Sequence, residues 1–328
     1  MKAIVVKPGD HGPRLVWEKA PEAAMGPEEA LVAVRATAVN RADLLQARGQ
    51  YPPPPGVTDI LGLEVAGVVS AVGDAVQGWQ PGDRVMALLP GGGYAEQAAV
   101  HHGLLMRLPD GWSFDQGAAV PEAWLTAFLN LFMEGRLQPG QRVLIHAGAS
   151  GVGTAAIQMA REAGAKVFAT AGSAAKLAAC REYGAVLAID YKTQDFAVEI
   201  KAHSGGKGVD LILDPVGAAY LKRNIEVLSP GGRLVTIGLM GGSRAEIDLG
   251  QVLGKSLHLV GSRLRHRQVA EKIDITRQFQ ERFWPLLVSG KLKPVIDRVF
   301  PISEAEAGHG HVKENRNIGK VVLEIPEK

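Results

Sequence analysis

The chain has 328 residues, 46% of them apolar and 21% charged, with a formal charge of +2; this is the composition of an ordinary folded protein, long enough for about two domains. A near-neutral balance gives no general electrostatic attraction to nucleic acid or to an anionic membrane, and the single cysteine, Cys180, excludes an internal disulfide and a thiolate metal cage. No run approaches the ~18 apolar residues of a membrane helix, and the apolar stretch at the start is too short for a secretory signal, so a reduced, cytoplasmic setting is expected.

The first ~120 residues read as short β-branched strands, at 4–7, 29–37, 64–72 and 83–88, punctuated by Pro-Gly and Gly-Asp pairs and by a stiff proline loop at 51–56. An irregular β domain is the consequence. From Pro121 the texture changes to compact apolar strands alternating with single helices: strands at 143–147, 166–171, 186–190, 209–214, 233–239 and 256–262, and helices at 153–163, 174–183, 196–203 and 218–227. Six strands in βαβ rhythm predict a parallel, doubly wound sheet of Rossmann type. A helix over 269–287, a strand at 295–300, a short helix from Ser303 and a last strand at 319–325 lack that rhythm. The tail is therefore expected to rejoin the first domain. That gives a catalytic domain of 1–121 with 265–328, a nucleotide domain of 122–264, and a ligand cleft between them.

Glycine is over-represented, 40 of 328 residues against a usual share of ~7%. Its most telling cluster is Gly148-Ala149-Ser150-Gly151-Val152-Gly153, where a buried strand turns into a helix. Glycines at 148, 151 and 153 suit a tight reversal and a close backbone approach to a pyrophosphate, and Ser150 and Val152 contribute to the same helix N-terminus, with Ser150 where the middle glycine of G-x-G-x-x-G would stand. An NAD site would carry a carboxylate about 20 residues further on, but 166–176 contains no acid. Ser173 and Lys176 offer a hydroxyl and an ammonium instead, the complement of a 2′-phosphate, and Tyr191 can stack or hydrogen-bond beside it. NADPH is the expected cofactor. Ser173 equally suits a helix cap.

Asn40-Arg41-Ala42-Asp43 and Leu61-Gly62-Leu63-Glu64-Val65-Ala66-Gly67 resemble the medium-chain dehydrogenase/reductase superfamily. Its zinc alcohol dehydrogenases carry cysteine where Asn40 stands and Gly-His-Glu where Gly62-Leu63-Glu64 stands. An amide and a leucine replace zinc ligands, so no catalytic metal is expected. The four-cysteine lobe is missing as well. Gly49-Gln50-Tyr51, the run 121–128, the glycine turn and Asn317-Ile318-Gly319-Lys320 are similar to the zinc-free NADPH:quinone oxidoreductases, closest to the tumour-suppressor-inducible quinone oxidoreductase branch. The resemblance implies a GroES-like domain beside a Rossmann domain, a homodimer, and reduction of a quinone. It also makes Thr126, the Leu239-Met240 loop and Asn317 cofactor contacts.

Asn40, Asp43 and Tyr51 are the candidates for the acceptor side. Asn40 would donate its amide to a quinone oxygen or to the cofactor, Tyr51 would protonate a developing oxyanion, and Asp43 would orient them or relay a proton. Asn40 and Asp43 equally suit capping of the helix near Arg41, and Tyr51 equally suits packing on the proline loop. Cys180 reads as a buried, inert thiol, 263–267 as a solvated basic loop, and His309 with His311 as unsuited to a shared metal. Two rival functions stand beside quinone reduction: reduction of an activated C=C bond in an enone or enoyl thioester, and a non-catalytic nucleotide-binding protein with an RNA-binding role. The second conflicts with the low charge and with 18 aromatic residues in 328.

Overall fold

The computed structural model describes residues 1–10 and 12–327. The chain divides into two compact units, one of residues 1–125, 265–280 and 294–328 and the other of residues 126–264 and 281–293. The elements begin with β1 (Lys2–Lys7), β2 (Arg14–Lys19), β3 (Glu29–Val39), α1 (Arg41–Gln46), β4 (Glu64–Val72), β5 (Arg84–Leu88), β6 (Gln97–His101) and β7 (Leu105–Arg107). Next come α2 (Phe114–Ala118), α3 (Pro121–Phe128), β8 (Arg142–Ile145), α4 (Gly151–Glu162), β9 (Lys166–Ala171), α5 (Ala174–Tyr183), β10 (Leu187–Asp190) and α6 (Phe196–His203). The remainder is β11 (Val209–Asp214), α7 (Ala218–Val227), β12 (Leu228–Thr236), α8 (Leu249–Gly254), β13 (His258–Gly261), α9 (Val269–Val288), β14 (Ile296–Pro301), α10 (Ala305–Lys313) and β15 (Lys320–Glu324).

In the first unit a sheet runs in the order β14-β15-β3-β4-β5-β7, with β6 also paired to β3. Along β3 the buried residues Ala30, Val32, Val34 and Ala36 alternate with half-buried ones, the period-two pattern of a strand with one face on a core. The C-terminal tail joins this sheet, since β15 pairs antiparallel with β3 and sets Val321 opposite Val39. β4 pairs with the other side of β3 and sets Val65 opposite Thr37. These two registers bring Asn40, Glu64 and Lys320 to one end of the sheet, although the sequence separates them by up to 280 residues.

The second unit is a parallel sheet in the order β10-β9-β8-β11-β12-β13, the Rossmann 3-2-1-4-5-6 arrangement with its switch point between β8 and β11. Val143, Leu144 and Ile145 of β8 and Leu211, Ile212 and Leu213 of β11 are buried, as parallel strands covered on both faces must be. Several strand ends differ from the sequence expectation, and at two of them the cause is local. β13 is shorter than 256–262 because Ser256 has φ +52°, which breaks extended backbone before His258. β12 begins at Leu228 and ends at Thr236, because a shift in pairing after Val209 takes up the Pro230-Gly231-Gly232 segment, and Gly238 then packs against Pro215 outside the sheet.

Candidate active site

At the carboxyl end of β8 the chain reverses at Ala147, with φ +51°. None of Gly148, Gly151 and Gly153 has a positive φ, so the reversal does not rest on them, and for Gly148 and Gly153 the use is close approach. A Cβ on Gly153 would lie 2.4 Å from the Ala147 carbonyl oxygen, and one on Gly148 would lie 2.9 Å from both Ala169 Cβ and Cys180 Sγ. Ser150 caps α4, its Oγ accepting from Gly153 N–H at 3.0 Å, and the helical ladder starts with Thr154 N–H to the Ser150 carbonyl. The amides of Gly151 and Val152 precede that first rung. Amides at that place, with the positive end of the helix dipole, are chemically suited to an anion, so the residues of the turn fit a pyrophosphate.

Beneath the turn lies a buried chain that sequence reading missed. His146 Nδ1 is 3.0 Å from Thr170 Oγ1 and its Nε2 is 2.8 Å from Asn224 Oδ1, while Asn224 Nδ2 donates to Asp214 Oδ2 at 3.1 Å. Because Asn224 presents its oxygen to the ring, His146 is the neutral Nε2–H tautomer; burial pulls its pKa down to about 4. Asp214 accepts from the amides of Val216 and Gly217, and burial raises its pKa to about 6. The chain ties the ends of β8 and β11 together at the switch point. The loop carrying Leu239 and Met240 is held there too, by Met240 N–H to the Pro215 carbonyl and Gly241 N–H to the Val216 carbonyl; both side chains are at least half exposed.

Ser173 caps α5, its Oγ accepting from Lys176 N–H at 3.4 Å. Tyr191 joins them: its N–H donates to the Ala171 carbonyl, and its hydroxyl lies 2.6 Å from where a Cβ on Gly172 would stand. A serine hydroxyl, a lysine in the first helical turn and a phenol therefore surround the end of β9. Cys180 lies behind the turn, buried, with its thiol pushed up to about 12 by that burial. Thr126 sits within α3, its carbonyl accepting from Asn130 Nδ2 at 2.7 Å. Asn317 belongs to the first unit, where its amide donates to the Gly319 carbonyl at 2.7 Å.

In the first unit, Lys320 Nζ donates to Glu64 Oε1 at 2.7 Å, Asn40 Oδ1 at 2.6 Å and the Val39 carbonyl at 3.2 Å, which uses all three of its protons. Glu64 is fully buried and also accepts from Asn40 Nδ2 and, through Oε2, from the backbone N–H of Glu122. It thus caps α3. Asn40 is spent in the same way, because its Nδ2 donates to Glu64 and to the Ala38 carbonyl while its Oδ1 takes Lys320. Asn40 was expected to donate its amide to a quinone or the cofactor; in this structure that amide donates to the Ala38 carbonyl and to Glu64, the latter a partner that depends on sheet register rather than on neighbouring sequence.

Asp43 is buried and accepts from Asn40 N–H at 2.8 Å, Gly62 N–H at 3.0 Å and the Tyr94 hydroxyl at 3.4 Å. The contact with Asn40 is one half of a capping box on α1. Burial outweighs these bonds and raises its pKa to about 6. Tyr94 reaches on to His309 Nε2 at 3.1 Å, and burial lowers His309 to about 4, so that ring is neutral. Close by, burial and the neighbouring Glu64 lift Glu122 to about 8, and its Oε2 is buried with no hydrogen-bond partner. Glu64, Tyr94, Glu122, His309 and Lys320 had no assigned role in the sequence.

Tyr51 stands in a second group rather than with Asn40 and Asp43. Its hydroxyl is 3.2 Å from His266 Nδ1, and Arg265 lies over its ring at 5.3 Å. The basic segment is not simply solvated, because Arg265 is buried and donates to the Pro90 carbonyl, the Tyr51 carbonyl and Gln46 Oε1. Three backbone and side-chain acceptors explain how a guanidinium tolerates that burial.

Residues 26–110 match the family described as the alcohol dehydrogenase GroES-like domain, and residues 151–278 match that described as zinc-binding dehydrogenase. The synaptic vesicle membrane protein VAT-1 homolog of Homo sapiens is 34% identical over 315 residues, 92% of this chain and 80% of that protein. Escherichia coli quinone oxidoreductase complexed with NADPH superposes with a TM-score of 0.88 at 29% identity, covering 98% of this chain and 99% of that one. CurK enoyl reductase superposes with a TM-score of 0.84 at 33% identity, covering 95% of each chain. The zinc in the second family description does not fit this donor set. Where the resemblance puts zinc ligands this chain has Asn40 and Leu63, the Lys320 ammonium sits on Asn40 and Glu64, and no group of three His, Cys, Asp or Glu suited to a metal occurs among the described residues. No described helix is long and apolar enough to cross a membrane.

Proposed function

Because the chain belongs to the medium-chain dehydrogenase/reductase superfamily, we propose that it is an NADPH-dependent reductase whose acceptor is a quinone. When bound, NADPH supplies the hydride. The Gly151 and Val152 amides hold its pyrophosphate, and Ser173, Lys176 and Tyr191 hold its 2′-phosphate. Thr126 and the Leu239-Met240 loop orient the nicotinamide, with Asn317 as a further contact. Tyr51 protonates the reduced acceptor. Asp43, held by Asn40 and Gly62, keeps α1 and the 60s segment in register. The observation that carries the reading is the close-packed turn at 148–153, followed by a β9 end furnished with Ser173 and Lys176 and no carboxylate.

Reduction of an activated C=C bond is the second reading, favoured by the likeness to CurK enoyl reductase over almost the whole chain. Both acceptors take hydride at a conjugated carbon. NADPH oxidation measured with ortho-quinones, para-quinones, alkenals and an enoyl thioester separates them: quinones are expected to give the highest kcat/KM, and exclusive turnover of the thioester overturns the choice of acceptor. The homodimer is also a proposal, resting on β13 at the edge of the six-stranded sheet and on Leu249, Leu253 and Leu259 exposed beside it.

A further inference from the structure

We infer that His266 reloads the Tyr51 hydroxyl with a proton after each turnover, and that Arg265 fixes the phenol for that exchange; this rests on Tyr51 being the proton donor to the acceptor. The two side chains are 3.2 Å apart between hydroxyl and Nδ1, with their rings edge to face at 5.3 Å. The geometry runs from inside to outside. Arg265 is buried, Tyr51 is half-buried and His266 is exposed, so the imidazole sits between the phenol and water. Arg265 pins the Tyr51 backbone through its carbonyl, anchors itself on Pro90 and Gln46, and lies over the ring. Arg265 and His266 both face the phenol, and Arg265 also feels the charges of Asp43 and Glu122. Arg265 keeps its charge, whereas the imidazole of His266, in hydrogen-bond reach of the phenol, can pass a proton.

The proton count closes. The acceptor takes two electrons and one proton as hydride, and one of its oxygens becomes an anion. The Tyr51 O–H bond breaks as a new O–H bond forms on that oxygen. The tyrosinate takes a proton from His266 Nδ1, and the exposed ring draws a replacement from water. One proton from solvent is consumed per acceptor reduced, and neither side chain changes over the cycle.

The test compares Tyr51→Phe, His266→Ala, His266→Asn and Tyr51→Phe/His266→Ala in steady-state turnover with a quinone. Loss of the relay is expected to lower kcat about tenfold in His266→Ala, with a larger solvent isotope effect and little change in KM, less than the roughly 10²–10⁴-fold of a direct general acid because water replaces the ring in part. Added imidazole restores the rate of His266→Ala. His266→Asn keeps a hydrogen-bonding partner for the phenol but is as slow as His266→Ala. The double variant is no slower than Tyr51→Phe alone. In the protein without cofactor, Tyr51→Phe shifts the His266 ring ¹⁵N resonances, which reports the bond independently of turnover. If Tyr51→Phe is slow while His266→Ala is unchanged, or if His266→Asn is as fast as the unsubstituted protein, the relay is wrong and the donor role of Tyr51 survives. If Tyr51→Phe is itself without effect, both fall.

Discussion

The glycine turn of the second unit and the charged cluster of the first meet opposite demands. The turn leaves backbone amides outward and removes side-chain bulk, so that Gly153 can lie against the Ala147 carbonyl with no room for a Cβ. The cluster turns its charges on one another: Lys320, Glu64 and Asn40 satisfy nearly every donor and acceptor they carry. One region, on the proposed reading, receives an outside charge, and the other satisfies its charges internally. A polar residue near a site is therefore not a ligand-binding group until its own hydrogen bonds have been counted.

The largest expected effect comes from breaking the cluster. Lys320→Met leaves Glu64 buried without its cation and should lower the unfolding free energy by about 3–5 kcal/mol, read from chemical denaturation. Adding Glu64→Gln should recover part of the loss, because the stranded charge is gone. An unchanged denaturation midpoint in Lys320→Met would mean the pair does not support the fold. Breaking the turn comes next. Gly153→Val places side-chain atoms against the Ala147 carbonyl and should weaken NADPH binding by about 100-fold, measured by quenching of protein fluorescence, and unaltered affinity would refute the assignment of the pyrophosphate to this turn.

The smallest effect sharpens the contrast through pH. Glu122 titrates at about 8 when folded against an ordinary 4.5, so the folded state holds the extra proton between those values, and stability falls as pH rises through that window. Asp43 acts in the same direction but only up to about 6, and His146 and His309, lowered from 6.5 to about 4, act in the opposite direction below 6.5. Between pH 6.5 and 8, Glu122 dominates this group. Glu122→Gln should flatten the fall of stability over that interval, and an equal slope in both proteins removes Glu122 as its source.

What was legible in the sequence follows the same division. The strands of the second unit, its parallel order and the turn at 148–153 are written in consecutive residues, since a βαβ unit is a local pattern. Even there the reversal falls on Ala147, which no glycine rule identifies. The cluster was legible only in pieces. Gly62-Leu63-Glu64 was visible as a motif that lacks a zinc ligand, but that Lys320 supplies a cation at Asn40 depends on β15 pairing with β3, a contact nearly 300 residues apart in the chain. Tyr51 was singled out, while its partners Arg265 and His266 looked like part of a solvated run because nothing local announces the acceptors at Pro90 and Gln46.

The quinone arm of the substrate comparison, run on protein dialysed against a metal chelator, tests the central claim most directly. Anaerobic mixing with NADPH and a para-quinone should oxidise one NADPH per hydroquinone formed at an undiminished rate, and NADH should serve poorly. Turnover that returns only on adding a divalent cation, or NADPH that binds yet passes no hydride to any quinone or enone, would contradict it.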